Sequence, residues 1–169
     1  RRNNLQPGEC VSMDQYVSRT PGRLAHTFGK EPPSLRYTGG TIYVDHATGF
    51  VFIKNQVSAR IGETLQGKHA FERYADQFGV KIKSYRADNT PFGEPEFLED
   101  LEVQDQTITF SGVGAHFQNG VAERAQQTIT TWALAMMMHM MIHWPEAFDE
   151  SLWPFALEHA VVLWNHLPK

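Results

Sequence analysis

The hydrophobic pattern divides the chain into short alternating runs and longer helical ones. Cys10 to Val17, Gly40 to Val44 and Phe50 to Ile53 are brief stretches with β-branched or aromatic residues, each bounded by turn chemistry, and they predict three strands. Asp45-His46-Ala47-Thr48-Gly49, between the second and third, has the composition of a tight hairpin, with a glycine where positive φ is needed. From Ser58, a candidate N-cap, Ile61, Leu65, Phe71, Tyr74, Ala75 and Phe78 recur at helical spacing as far as Gly79, a candidate C′ residue. Val80 to Ala87 alternates like a strand and breaks at Asp88-Asn89-Thr90-Pro91. Pro95 to Val103 predicts a short helix and Thr107 to Phe110 a strand. The glycine-rich stretch Ser111 to Gly120 leads into a long helix from Val121 to about Ile142, which Trp144-Pro145 ends. A last helix from about Leu152 to His166 has Pro154 in its first turn, where proline is tolerated.

Three hairpin-connected strands followed by strands joined through helices predict an α/β fold. The expected sheet is five-stranded and mixed, three antiparallel strands and then parallel ones, flanked by helices. The whole of 1–169 reads as one domain, with a core over about 8–142 and a helical extension over about 143–169. An apolar content of 41% supports a buried core and excludes a disordered tail. A single cysteine, Cys10, excludes an internal disulfide. No segment reaches the roughly 18 unbroken apolar residues of a membrane span.

Charge changes the picture more by its placement than by its total of −4. Thirteen of the 15 Lys and Arg precede residue 94, while six acidic residues and no basic one lie between Glu94 and Asp105, a run that reads as a solvated helix face. That balance argues against a free-standing, charge-driven nucleic-acid binder. Arg1-Arg2-Asn3 at the start and Pro168-Lys169 at the end suggest a piece of a longer polypeptide, whose charge describes only the piece.

Three carboxylates stand out by position: Asp14 inside the first strand, Asp88 at the end of the fourth, and Glu123 in the first turn of the long helix. An aspartate between Met13 and Val17 in a strand is costly unless paired or metal-bound. If the fourth strand joins the sheet beside the first, Asp14 and Asp88 meet, and Glu123 arrives over the edge. Like charges so placed repel unless a divalent cation neutralises them, and all-oxygen ligation selects Mg²⁺ or Mn²⁺ over zinc. Asp45 also precedes Asp88, but at the hairpin tip an aspartate is ordinarily a turn former. Asp14 is therefore the expected first member of the set.

Asp88-Asn89 and the later run Asn119-Gly120-Val121-Ala122-Glu123-Arg124, with 34 residues between Asp88 and Glu123, resemble the D-N-G … N-G-x-x-E-R pattern of integrase catalytic cores. The Val11-Ser12-Met13-Asp14 run matches that family's first-strand aspartate. The closing motifs Trp144-Pro145, Leu152-Trp153-Pro154-Phe155-Ala156 and Asn165-His166-Leu167-Pro168 resemble the copia-type retrotransposon branch. The sequence departs from the pattern at Thr90, where glycine is usual, and by an insertion from Arg19 to Tyr37. The resemblance implies an RNase H-like fold and a D, D, E triad of Asp14, Asp88 and Glu123. That triad would hold two Mg²⁺ or Mn²⁺ ions and join element DNA 3′ ends to target DNA by phosphoryl transfer. It also implies a homo-oligomer, a nuclear site of action after a cytoplasmic particle stage, and a zinc-binding region upstream of Arg1 and further C-terminal regions that this chain does not contain.

Asn119, Arg124 and Gln127 are the candidate DNA contacts, the first on a loop able to order over DNA, the second able either to grip a phosphate bidentately or to form a salt bridge within the core. Lys81, Lys83 and Arg86 could line a phosphate track, but solvated alternation on a strand face is the favoured account. His139 and His143 are one turn apart, but no third zinc ligand accompanies them. Met136, Met137, Met138, Met140 and Met141 cover too much of the long helix for one amphipathic stripe; core packing accounts for some, and a self-association surface is an alternative for the remainder. Rival readings are a related D, D, E transposase, a catalytically silent domesticated integrase serving as a DNA-binding or scaffold module, and an RNase H-type nuclease.

Overall fold

Residues 4–28, 30–111 and 120–167 are described by the computed structural model. The first strand, β1 (Val11–Gly22), lies at the centre of the sheet. On one side it pairs antiparallel with β2 (Tyr37–Asp45), which pairs antiparallel with β3 (Val51–Gln56). On the other it pairs parallel with β4 (Ser84–Ala87), which pairs parallel with β5 (Thr107–Phe110). The order β3-β2-β1-β4-β5 is the expected five-stranded mixed sheet. Its helices are α1 (Ile61–Asp76), the single turn α2 (Asn89–Phe92), α3 (Pro95–Val103), α4 (Gly120–His143) and α5 (Trp153–His166).

Strand alternation sends neighbouring residues to opposite layers. Val11 and Met13 of β1, Tyr43 of β2 and Tyr85 and Ala87 of β4 pack with Phe71 of α1 and Phe97 and Leu101 of α3. Tyr43 stacks on Phe71 with ring centroids 4.9 Å apart. Ile42, Val44 and Val51 enter the second layer with Ala122, Ala125, Ile129 and Ala133 of α4 and Leu157, Ala160 and Val161 of α5. The small residues of α4 recur at helical spacing and face the sheet and α5. The helix of the expected C-terminal extension thus packs into this second layer.

Several elements differ from the sequence reading: β2 starts at Tyr37 and β3 ends at Gln56, a single helical turn occupies Asn89–Phe92, and β1 and β4 have their limits set by contacts between distant segments. β1 continues five residues past Val17, with a register slip between Val17 and Gly22. That extension is held by the far end of the chain: Trp153 Nε1 donates to Thr20 O at 2.7 Å, Arg23 N donates to Ser151 O at 2.8 Å, and Arg23 pairs with Asp149. β4 starts at Ser84 rather than Val80, because the segment before it is tied to the N-terminal arm, Lys83 N donating to Gly8 O at 2.8 Å. Helix α1 starts at Ile61, and Ser58 caps no backbone amide of its first turn. Its hydroxyl donates to Glu63 Oε1 at 2.6 Å while Glu63 Oε2 accepts from Val57 N at 2.8 Å. Gly79, with φ +72°, ends the helix as expected.

Candidate carboxylate site

Asp14 is the fourth residue of β1 and alternates with Met13, so it points away from the α1/α3 layer, toward α4. It is half-buried, and its Oδ1 accepts from Gln15 N at 2.8 Å. Burial pushes this carboxyl up, the Gln15 amide works against the rise, and the charges of Asp88 and Glu123 add to it, setting the pKa at about 6. Asp88 immediately follows β4. The parallel register pairs Ser12 with Arg86, and continuing it two residues sets Asp88 level with Asp14. Glu123 projects from the first turn of α4.

The three carboxylates therefore share one sheet face and sense one another's charge. They are not drawn into a cage: among the described residues no three His, Cys, Asp or Glu side chains converge closely enough to hold an ion. The donor set nonetheless fits a hard divalent cation. It is all oxygen, and burial together with the charges of Asp88 and Glu123 raises its half-buried member, Asp14, to a pKa of about 6.

Asp45 has a different task. It is buried, and its oxygens accept from Gly8 N at 3.0 Å, Thr48 N at 2.8 Å and Thr48 Oγ1 at 2.7 Å, which organises the hairpin turn and anchors the N-terminal arm. Beside it, His46 Nε2 meets Ser12 Oγ at 2.7 Å. Ser12 is fully buried, so this pair straps the hairpin to β1 and offers no accessible nucleophile.

Of the candidate DNA contacts, Arg124 and Gln127 are exposed and lie one turn apart on α4. The Arg124 guanidinium folds back over the helix start, its Nη1 3.5 Å from where a Cβ on Gly120 would stand. Asn119 lies outside the described residues. Two arrangements escaped the sequence reading. Asp100, within the run read as a solvated face, is bonded to buried Lys68 at 2.7 Å. Arg86 parts from Lys81 and Lys83, which pair with Asp76 and Glu9; its even position against their odd ones was the available signal.

No protein-family model matches the chain, and no curated sequence matches it. Solved structures do. The HTLV-2 integrase catalytic core domain in complex with magnesium is 18% identical with a TM-score of 0.64, and covers 98% of this chain and 92% of that one in its dimeric form. Its trimeric form gives the same identity and TM-score over 98% and 90%. The fold is that of an integrase catalytic core. A chain of the simian T-cell lymphotropic virus intasome in complex with PP2A regulatory subunit B56 gamma aligns with a TM-score of 0.70 at 18% identity, over 99% of this chain and 51% of that one. The RNase H-like sheet and its flanking helices thus place Asp14, Asp88 and Glu123 on a scaffold shared with these cores.

Proposed function

We propose that the chain is the catalytic core of a retroelement integrase of the copia type, which joins element DNA 3′ ends to target DNA. The observation that carries this reading is the placement, on one face of an integrase-core fold, of three carboxylates from β1, the end of β4 and the start of α4, near enough in charge that burial and the other two raise Asp14 to about 6. Asp14, Asp88 and Glu123 would hold Mg²⁺ or Mn²⁺, two ions in the working complex. When bound, such ions activate an attacking oxygen and stabilise a leaving one in an in-line displacement. The protein's own part is positioning: β1 and β4 present two carboxylates from adjacent parallel strands, α4 swings the third over them, and Arg124, Gln127 and Asn119 contact the DNA. No side chain is needed as a covalent nucleophile, since a DNA 3′-hydroxyl attacks the target phosphodiester.

Other features support the setting. The likeness to cores solved with magnesium and to an intasome chain supports a metal-dependent, DNA-bound assembly; a nuclear site of action after a cytoplasmic particle stage belongs to the same proposal. Exposed Leu134, Met138, Met141 and Ile142 on the second half of α4 favour a homo-oligomer. The test is a Mg²⁺- or Mn²⁺-dependent strand-transfer assay with terminal element DNA. Asp14→Asn, Asp88→Asn and Glu123→Gln should each reduce joining to background while leaving the circular dichroism spectrum unchanged. Full activity in any one folded variant removes that residue from the site, and wild-type protein that binds DNA without joining it leaves the scaffold reading in place.

A further inference from the structure

Beside the carboxylates, the same face of the sheet opens into a cleft of about 520 Å³ lined by Arg86, Thr109, Phe110, Ser111, Gly120 and Arg124. Arg86 sits on β4 directly opposite Ser12 of β1 and Thr109 of β5, and by alternation it faces away from Tyr85 and Ala87, which fill the α1/α3 core. Arg124 reaches the cleft from α4, its guanidinium turned back to Gly120 at the start of a 24-residue helix, where the backbone dipole is already positive. Two guanidinium groups and a helix N-terminus repel one another, yet no carboxylate lines the cleft, and neither arginine makes an ion pair among the described residues. The contrast with the other basic residues of this part of the chain is sharp: Lys68, Lys81 and Lys83 all have acidic partners.

One further group is unused. Ser111 is held at the end of β5 by its amide, which donates to Ala87 O at 3.0 Å, and its Oγ is shielded from solvent with no described hydrogen-bond partner. Two planar five-donor forks and a spare hydroxyl in a polar cleft suit a phosphate, which accepts bidentate hydrogen bonds from arginine.

We propose that Arg86 and Arg124 clamp a non-reacting phosphodiester of the DNA strand, so that the adjoining stretch of that strand lies against Asp14, Asp88 and Glu123. The sequence spacing links the two subsites directly: Arg86 precedes Asp88 by two residues on the same strand face, and Arg124 follows Glu123. This rests on the DNA-joining reading above and names Arg86, with Ser111, as positioning residues that reading lacks. The clamp accounts for how a chain with a net charge of −4 holds an anionic substrate near a cluster of carboxylates: the cationic groups are concentrated where the strand enters.

The test uses the whole chain and a fluorescein-labelled single-stranded DNA of about 12 nucleotides, with anisotropy read in EDTA across about 50 to 200 mM KCl. Arg86→Ala and Arg124→Ala should each weaken binding roughly 5- to 10-fold at the lowest salt and reduce the slope of log affinity against log salt by about 0.7. Arg86→Lys should keep the slope but recover only part of the affinity, because a point charge cannot grip bidentately. Lys81→Ala is the surface control and should bind as wild type. Circular dichroism confirms that each variant is folded. Arg86→Ala with wild-type affinity and slope overturns the clamp, as does a Lys81→Ala loss equal to that of Arg86→Ala. Arginine-dependent binding in a wild-type chain that joins no DNA with Mg²⁺ sinks the integrase reading and keeps the clamp. Joining by a chain whose binding ignores Arg86 does the reverse.

Discussion

On the α1/α3 face of the sheet, a fully buried Lys68 ammonium is met by Glu72 at 2.8 Å and Asp100 at 2.7 Å, with Tyr85 OH and Gln106 Nε2 donating to the same Glu72 oxygen and His69 Nε2 against Asp100. On the α4/α5 face, half-buried Asp14 lies near Asp88 and Glu123 and makes no ion pair among the described residues. Both arrangements bury charge, which is costly without compensation. One layer supplies the compensation from within the chain, with partners from α1, α3 and β4 and from Gln106 just before β5. The other supplies no cation to Asp14 among the described residues, the arrangement expected where a group from outside the chain is to be bound.

The comparison breaks most visibly at Lys68. Lys68→Ala leaves two carboxylates without their cation, and should destabilise the protein by about 3–5 kcal/mol in urea denaturation. A loss under about 1 kcal/mol would mean that water, not Lys68, compensates Glu72 and Asp100. On the other face the sign reverses. The folded chain holds the Asp14 proton more tightly than the unfolded chain, so the contribution of this group is full below about pH 4 and is lost as pH rises through about 6. In metal-free protein Asp14→Asn should therefore stabilise by on the order of 1 kcal/mol at pH 8, after allowing for solvent screening, with the gain vanishing toward pH 4. A pH-independent effect in thermal melts would assign the change to packing instead.

Supplying the missing cation should act through the same face. Millimolar Mg²⁺ should raise the wild-type melting temperature by about 2–4 °C and leave Asp14→Asn unmoved, and equal shifts in both would place the ion elsewhere. The smallest change concerns Asp100. Burial would raise this carboxyl, but hydrogen bonds from Lys68 and His69 override it and hold the group below its ordinary value. Its contribution is present above the ordinary carboxylate range and is lost as pH falls through the lowered value. Asp100→Asn should thus lower stability at pH 7 and flatten the acid limb of the wild-type profile, opposite in slope to Asp14.

Much of the site was legible because local periodicity carries it. The strand parity of Asp14, the position of Asp88 just after a strand and of Glu123 in a helix's first turn all follow from neighbours within a few residues. Asp45 was legible for the same reason, since an aspartate three residues before Thr48 is a turn residue and its carboxylate does bond that turn. Lys68 was not. It lies on a helix where Glu72, one turn on, reads as an ordinary surface pair, and only the approach of α3, some thirty residues later, encloses it. The insertion from Arg19 was misread in part because its extra strand residues depend on Ser151 and Trp153 at the other end of the chain.

By itself the sequence determined the main elements, their order and the face on which most of the strand side chains emerge, because the periods of strand and helix are properties of the local backbone. That was sufficient to put three carboxylates on three adjacent elements of an α/β sheet. Which charges would be neutralised, and which left open, depended on contacts between segments remote in the chain: α3 closing over Lys68, α4 carrying Arg124 to Arg86, and the C-terminal turn holding the end of β1. Those depend on how whole elements pack, and burial, which sets the cost of each charge, exists only once they have done so.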